Sequence, residues 1–222
     1  QTAAAELARL HVMHIDAVVV THMHDDHFGG VGAVLGEVPC DVVLVARGVR
    51  GNVPDELAAE LEGRGKGDVR EVGLGDELAV GDFRLRVVWP EAPVDGSENA
   101  DSIELALTYD DGSRTMSGLL TGDAEKDETG GALAAGRVGD VDFLKVGHHG
   151  SKVSVTPDEA SELAPEVSVA SAGAHNRYGH PSAECRRVLE RAGSRFLCTM
   201  DVGTVTLEPG ERGVRVVTER SP

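Results

Sequence analysis

Four side chains able to hold a metal ion, His22, His24, Asp26 and His27, fall within six residues, and Asp123, His148, His149 and His180 supply candidate partners downstream. Two imidazoles two residues apart can reach one ion, while an adjacent carboxylate and imidazole that diverge can reach a second. The chemistry this suits is hydrolysis at a two-metal centre. Imidazole with carboxylate suits zinc, and suits manganese or iron nearly as well. Clustered histidines also occur as accidental surface tracts. Here, however, a β-branched run, Val18-Val19-Val20, leads into the cluster, and Phe28-Gly29-Gly30 lets the chain turn away after it, so a buried strand delivering a loop of ligands is the consistent reading.

The elements that must position these residues follow the same logic. Helical character runs from Ala3 to Leu10 and leads into a strand at Ile15–Val20; a second buried strand spans Asp41–Ala46. Asn52-Val53-Pro54 opens a helix to about Glu62, with glycines 63, 65 and 67 marking a turn. Glu71–Val88 reads as antiparallel strands, and Ile103–Tyr109 with Arg114–Thr121 as a hairpin closed by Asp110-Asp111-Gly112. Strands are then expected at Asp142–Val146 and Glu166–Ser171, with a capping box at Thr156–Glu159 starting the helix between them. A helix follows His180-Pro181 to Ala192, and Arg195–Thr199 with Gly203–Leu207 finish in strands. Every candidate ligand thus lies just after a strand.

The chain has 222 residues, a length for one domain spanning 1–222, and its hydrophobic content of 41% against only 3% aromatics calls for a core of Val, Leu and Ala. No apolar run approaches the roughly 18 residues of a membrane span, and Gln1–Ala5 has neither a basic nor a hydrophobic leader region, so the chain reads as soluble, cytoplasmic or, with a leader removed, extracytoplasmic. Cys40, Cys185 and Cys198 are odd in number, widely spaced, and read as free core thiols. A net charge of −17 opposes long-range attraction of nucleic acid or anionic membrane, so a polyanion must be held locally. Acidic segments such as Glu91–Asp101 and Gly122–Glu128 read as solvated loops.

Thr21-His22-Met23-His24-Asp25-Asp26-His27-Phe28-Gly29-Gly30 resembles the metallo-β-lactamase superfamily, whose fold is a four-layer αββα sandwich of the α/β (α+β) class. Leu119–Glu125 resembles that family's bridging-aspartate motif. Asp142–Lys152 and Asn176–Pro181 look like the extracytoplasmic domain of ComEC-type competence proteins and their stand-alone relatives. The likeness runs over roughly residues 15–207. Two opening strands with their glycine-rich turns have no match, so the fold is expected to be N-terminally incomplete, with an upstream segment or self-association completing the sheet. Many members carry a histidine before the bridging aspartate; here that region reads Asn99-Ala100-Asp101-Ser102, as in the ComEC-like group.

The resemblance implies two divalent ions, zinc or manganese: one on His22, His24 and His149, one on Asp26, His27 and His180, with Asp123 bridging both. The other histidine of the doublet, His148, would then face substrate as an acid or hydrogen-bond donor, and Asp26 would also orient the nucleophile. Lys152 and Arg177 suit phosphate oxygens, Ser151 and Ser102 can donate hydrogen bonds, and Tyr178 can stack on the leaving portion. Asn99 and Ser102 serve equally well as loop stabilisers. The expected function is a metal-dependent hydrolase of phosphodiesters, acting on a small diester or on nucleic acid. The alternatives are hydrolysis of another ester class (phosphorylcholine ester, lactone, thioester or β-lactam) and a non-catalytic module of a larger DNA-uptake protein.

Overall fold

The computed structural model describes residues 3–55, 57–59, 68–211 and 213–221. Two sheets carry the fold. Strands β1 (Ile15–Val19), β2 (Cys40–Ala46) and β3 (Asp68–Val72) form a parallel sheet in that order. The larger sheet contains β4 (Glu77–Val80), β5 (Phe83–Trp89), β6 (Glu104–Asp110), β7 (Thr115–Leu120), β8 (Phe143–Lys145), β9 (Val167–Ala170) and β10 (Arg195–Cys198), ordered β10-β9-β8-β7-β6-β5-β4. Its first half is antiparallel and its second half, from β7 to β10, is parallel. A separate hairpin joins β11 (Val205–Pro209) to β12 (Val214–Thr218).

The layers follow from which face of each strand is apolar. On one face of the large sheet, Leu119, Leu144 and Val146 pack with Leu133, Leu163 and Leu189 from three helices, Lys126–Ala134, Pro157–Leu163 and Ala183–Arg191. On the other face, Val87, Ile103 and Leu105 meet Val20, Val43 and Val45 of the parallel sheet, and Val31 of the helix Val31–Glu37 joins the same cluster. Phe143, Val167 and Leu197 are covered on that face by Leu207 and Val216 of the terminal hairpin. The result is helices, sheet, sheet, helices, the layering expected from the resemblance.

Local chemistry explains most of these elements. The β6–β7 turn closes because Asp111 Oδ1 accepts the N–H groups of Ser113 (2.9 Å) and Arg114 (2.8 Å), while Gly112 takes the φ of +82° that the turn demands. The capping box forms as read: Glu159 N–H donates to Thr156 Oγ1 (3.2 Å) and Thr156 N–H to Glu159 Oε2 (2.8 Å).

Three readings are corrected. The helix Lys126–Ala134 begins inside the segment read as a solvated loop. It is started by an acidic box, with Glu125 N–H donating to Glu128 Oε2 (2.9 Å), and its two glycines conceal the helical pattern. A Cβ at Gly131 would press on the Trp89 ring at 3.0 Å, and one at Gly130 would stand 2.9 Å from Glu159 Oε1, the movable end of a side chain. The end of the sequence contains β12, which periodicity did not reveal, and the short helix Thr199–Val202 separates β10 from β11. Residues 55 and 57–59 are helical as expected, after a 3-10 turn that ends at Asn52; residues 56 and 60–62 and glycines 63, 65 and 67 lie outside the described residues. Cys185 and Cys198 are buried free thiols, and Cys40 is half-buried. Among the described residues no helix is long and apolar enough to cross a membrane.

Candidate metal centre

The parallel strands β1, β7, β8 and β9 each run into a loop, and the loops after β1, β7 and β8 meet at Gly122. A Cβ on Gly122 would stand 2.9 Å from Thr21 Cβ and 3.1 Å from Ser102 Cβ, and its carbonyl accepts the His148 N–H (3.3 Å). Side chains separated by more than a hundred residues therefore converge. Ligand atoms of Asp26, His27, Asp123 and His149 all lie within 4.8 Å of one another. His22 and His24 adjoin this group: the His22 ring centroid is 4.2 Å from that of His27 and 4.5 Å from that of His24.

Hydrogen bonds decide which nitrogen each imidazole presents. His149 Nδ1 donates to the Ser171 carbonyl (2.8 Å), which fixes the proton on Nδ1 and leaves Nε2 as a lone pair. His24 is held the opposite way, with Nε2 donating to the Ser97 carbonyl (2.9 Å) and Nδ1 left free. His27 Nδ1 lies 3.1 Å from Thr21 Oγ1; His22 Nδ1 lies 3.3 Å from the same hydroxyl and 3.2 Å from Ser102 Oγ. The Nε2 atoms of His22 and His27 are buried without a hydrogen-bond partner.

Two of these nitrogens, on His149 and His27, face carboxylates. His149 Nε2 is 3.3 Å from Asp26 Oδ2 and 3.5 Å from Asp123 Oδ2, and His27 Nε2 is 3.2 Å from Asp123 Oδ1 without the geometry of a hydrogen bond. Lone pairs and carboxylate oxygens gathered this closely repel unless positive charge lies between them, supplied by protons or by a cation. This donor set, imidazole nitrogens with two carboxylates at the end of a rigid sheet, fits divalent zinc or manganese. Burial raises the Asp123 carboxyl, but the His27, His149 and His148 imidazoles outweigh it and bring it to about 2, so it is an anion at neutral pH. Burial, reinforced by the neighbouring His27, lowers His22 to about 4 and keeps it neutral, the form that ligates.

His149 approaches Asp26 and Asp123 and joins His27, whereas His180 lies beside His148, ring centroids 5.4 Å apart, outside the four-residue group. His180 Nδ1 is nonetheless buried and unpartnered. Asn176 fixes that residue by both backbone groups: Nδ2 donates to the His180 carbonyl (2.7 Å) and Oδ1 accepts the His180 N–H (2.8 Å). His148 Nδ1 lies 2.8 Å from Glu125 Oε1 and 3.3 Å from Asn99 Nδ2; the shorter contact, to an acceptor, places the proton on Nδ1.

The residues expected to bind substrate separate sharply. Ser102 is fully buried, its oxygen engaged by His22 and by the Asp123 N–H (3.1 Å), so it supports the centre and has no surface for a substrate. Ser151 is likewise buried and accepts the Val153 N–H (3.2 Å). A cavity of about 830 Å³ opens at Asp26, His149 and His180, and among the expected contacts only Tyr178 lines it. Lys152 and Arg177 are exposed, the latter with its guanidinium 5.6 Å from the Tyr178 ring, and Asn99 is half-buried against His148. Glu125, Ser97, Ser171 and Asn176 escaped the sequence reading. Only Glu125, two residues beyond Asp123, and Asn176, four before His180, stand in quoted motifs.

A model of the metallo-beta-lactamase superfamily matches residues 1–109. The chain is 33% identical over 194 residues to ComE operon protein 3 of Bacillus subtilis, covering 87% of this chain and 24% of that protein. It is 29% identical over 178 residues to Recombination protein 2 of Haemophilus influenzae, covering 80% and 20% respectively. The chain thus spans about a quarter or less of the length of these relatives. The structure resembles the metallo-beta-lactamase fold protein YhfI of Bacillus subtilis with a TM-score of 0.51 and 15% identity, over 89% of this chain and 81% of that one.

Proposed function

We propose, from the premise that this chain belongs to the metallo-beta-lactamase superfamily, that it is a hydrolase of phosphodiester bonds, of the nuclease or small-diester phosphodiesterase kind, working with two divalent ions. The observation that supports this reading is a pair of imidazoles held through Nδ1, His149 by the Ser171 carbonyl and His27 beside Thr21 Oγ1, whose Nε2 atoms lie 3.2–3.5 Å from the carboxylates of Asp26 and Asp123, with His22 and His24 adjoining them. His22, His24, Asp26, His27, Asp123, His149 and His180 are the residues assigned to hold the ions. Bound there, the ions would clamp phosphoryl oxygens and lower the pKa of water from about 15.7 toward 7.

The chain's own groups do the rest. Asp26, exposed toward the cavity, accepts a proton from the attacking water and orients it. His148, as an imidazolium whose Nδ1–H is held by Glu125, would give its Nε2 proton to the leaving oxygen and keep the one on Nδ1. Tyr178 stacks on the departing group, and Lys152 and Arg177 neutralise phosphate at the rim. Purified protein stripped by chelator should lose hydrolysis of bis-p-nitrophenyl phosphate and regain it with manganese or zinc. No turnover with any divalent metal, in a chain that binds two ions, would refute the reading. It would instead favour the alternative of a non-catalytic module of a larger DNA-uptake protein; both relatives are several times longer than the part that this chain matches.

A further inference from the structure

The loop after β9 brings His180 to the cavity, yet every residue from 173 to 179 is exposed save Asn176. The Asn176 amide is turned inward and bonds only to backbone. Nδ2 donates to the Gly173 carbonyl (2.8 Å) and to the His180 carbonyl (2.7 Å), while Oδ1 accepts the His180 N–H (2.8 Å). One acceptor beside two donors is what a carboxamide offers. Aspartate has the same reach but no donor, glutamine carries the amide one methylene farther out, and serine has a single hydroxyl proton. Because the peptide group is planar, holding both the N–H and the carbonyl of residue 180 sets its two flanking peptide planes, and with them the direction of its Cα–Cβ bond.

The chain leaving His180 has its own anchor. Ser182 N–H donates to the Gly150 carbonyl (2.8 Å), and a Cβ on Gly150 would stand 2.7 Å from Pro181 Cβ, so this segment is pressed against the glycine that follows the His148-His149 doublet. Between the two anchors the His180 ring lies 5.4 Å from that of His148, and its Nδ1 is buried without a hydrogen-bond partner. The Gly150 contact fixes where the chain passes; the Asn176 clamp fixes which way the imidazole leaves it.

We propose that Asn176 is a positioning residue of the metal centre: by clamping the backbone of residue 180 it aims the His180 imidazole at one of the two ions. This rests on the two-ion centre of the hydrolase reading and deepens one part of it. Without the clamp that ion is held less tightly, while the other keeps its ligands.

The test is zinc binding to chelator-stripped protein, by competition against a chromophoric chelator, in wild type, Asn176→Ala, Asn176→Asp, His180→Ala and the double variant, with the exposed neighbour His175→Ala as control. One of two zinc ions should loosen by about 10–100-fold in Asn176→Ala, the loss usual when the support behind a ligand is removed. Asn176→Asp should lose about as much, since it keeps the acceptor for the His180 N–H but sets an anion against two carbonyls. The other ion, and both ions in His175→Ala, should bind as in wild type. The double variant should match His180→Ala, because a residue that acts through another adds nothing once that other is gone. In metal-free protein the imidazole resonances of His180 should shift or broaden in Asn176→Ala while those of His22 and His27 hold. Wild-type affinity for both ions in Asn176→Ala or in His180→Ala, a double variant weaker than His180→Ala by the full Asn176→Ala factor, or a wild type that binds a single ion overturns the proposal. Wild type that binds two zinc ions and hydrolyses no diester refutes the diesterase reading alone, and the zinc comparison still decides Asn176.

Discussion

Ser102→Ala probes whether the support beneath the metal centre has been read correctly. The hydroxyl is fully buried and has two partners, His22 Nδ1 at 3.2 Å and the Asp123 N–H at 3.1 Å. Alanine leaves the Asp123 N–H buried without an acceptor, which costs about 1–3 kcal/mol. It leaves His22 with only the longer contact to Thr21 Oγ1 at 3.3 Å. For a chain of this size each kcal/mol is worth about 2–4 °C, so a loss of about 2 kcal/mol lowers Tm by about 4–8 °C in chelator. Loss of a hydrogen bond that orients a metal ligand weakens binding by about 10–100-fold, equivalent to about 1.4–2.8 kcal/mol. Calorimetry in chelator measures the first effect, and competition for zinc against a chromophoric chelator the second. Ser151→Ala is the comparison: this hydroxyl is also buried, but its recorded partner is the Val153 N–H, so stability should fall while zinc affinity holds. Equal zinc affinity in wild type and Ser102→Ala, or equal weakening in both variants, would show that Ser102 does not orient His22.

Other consequences are equally measurable. His22 is lowered from 6.5 to about 4 by burial, so below pH 6.5 the unfolded chain takes up a proton that the folded one refuses. The metal-free protein should lose up to about 3 kcal/mol of unfolding free energy between pH 6.5 and 4, and His22→Gln should flatten that slope in urea titrations. Glu104 is fully buried with Oε2 unpartnered, and burial raises its carboxyl to about 8. Its folded form keeps a proton that the unfolded chain loses above pH 4.5, so stability declines as pH rises toward 8; Glu104→Gln should raise Tm at pH 8–9, and a drop there would contradict this account. Glu125→Gln removes the carboxylate that holds His148 Nδ1, and turnover should fall by about 10² while two metals per chain remain bound by elemental analysis. A Cβ at Gly147 would overlap the Ala124 carbonyl, so Gly147→Ala should displace the β8 loop and show as lost thermal stability and metal binding together.

Much of this architecture can be read from the chain because its causes are local. β-branched runs mark β1 and β2, Asp110-Asp111-Gly112 closes its hairpin through its own side chains, and Thr156–Glu159 caps its helix. The identities and strand-end positions of the histidines and aspartates are equally visible, since they depend on residue type and on the pattern immediately before them.

The environment of those residues was decided by partners that no local pattern contains. The proton on His24 is set by a carbonyl 73 residues away, that on His149 by one 22 residues away, and Ser102 meets His22 across 80 residues. Ser102 and Ser151 looked like substrate donors because a serine in a motif loop carries no mark of its burial; packing of the loops around Gly122 removed them from solvent. Glu125 looked like a solvated charge until the fold brought His148 to it. Arg220, two residues beyond the terminal hairpin, lines the cavity because its N–H pairs with the Val202 carbonyl (2.9 Å) and its guanidinium with the Thr199 and Met200 carbonyls. Sequence chose the chemical groups; tertiary packing chose which nitrogen, oxygen or guanidinium faces the site, because burial and long-range hydrogen bonds exist only once distant strands have paired.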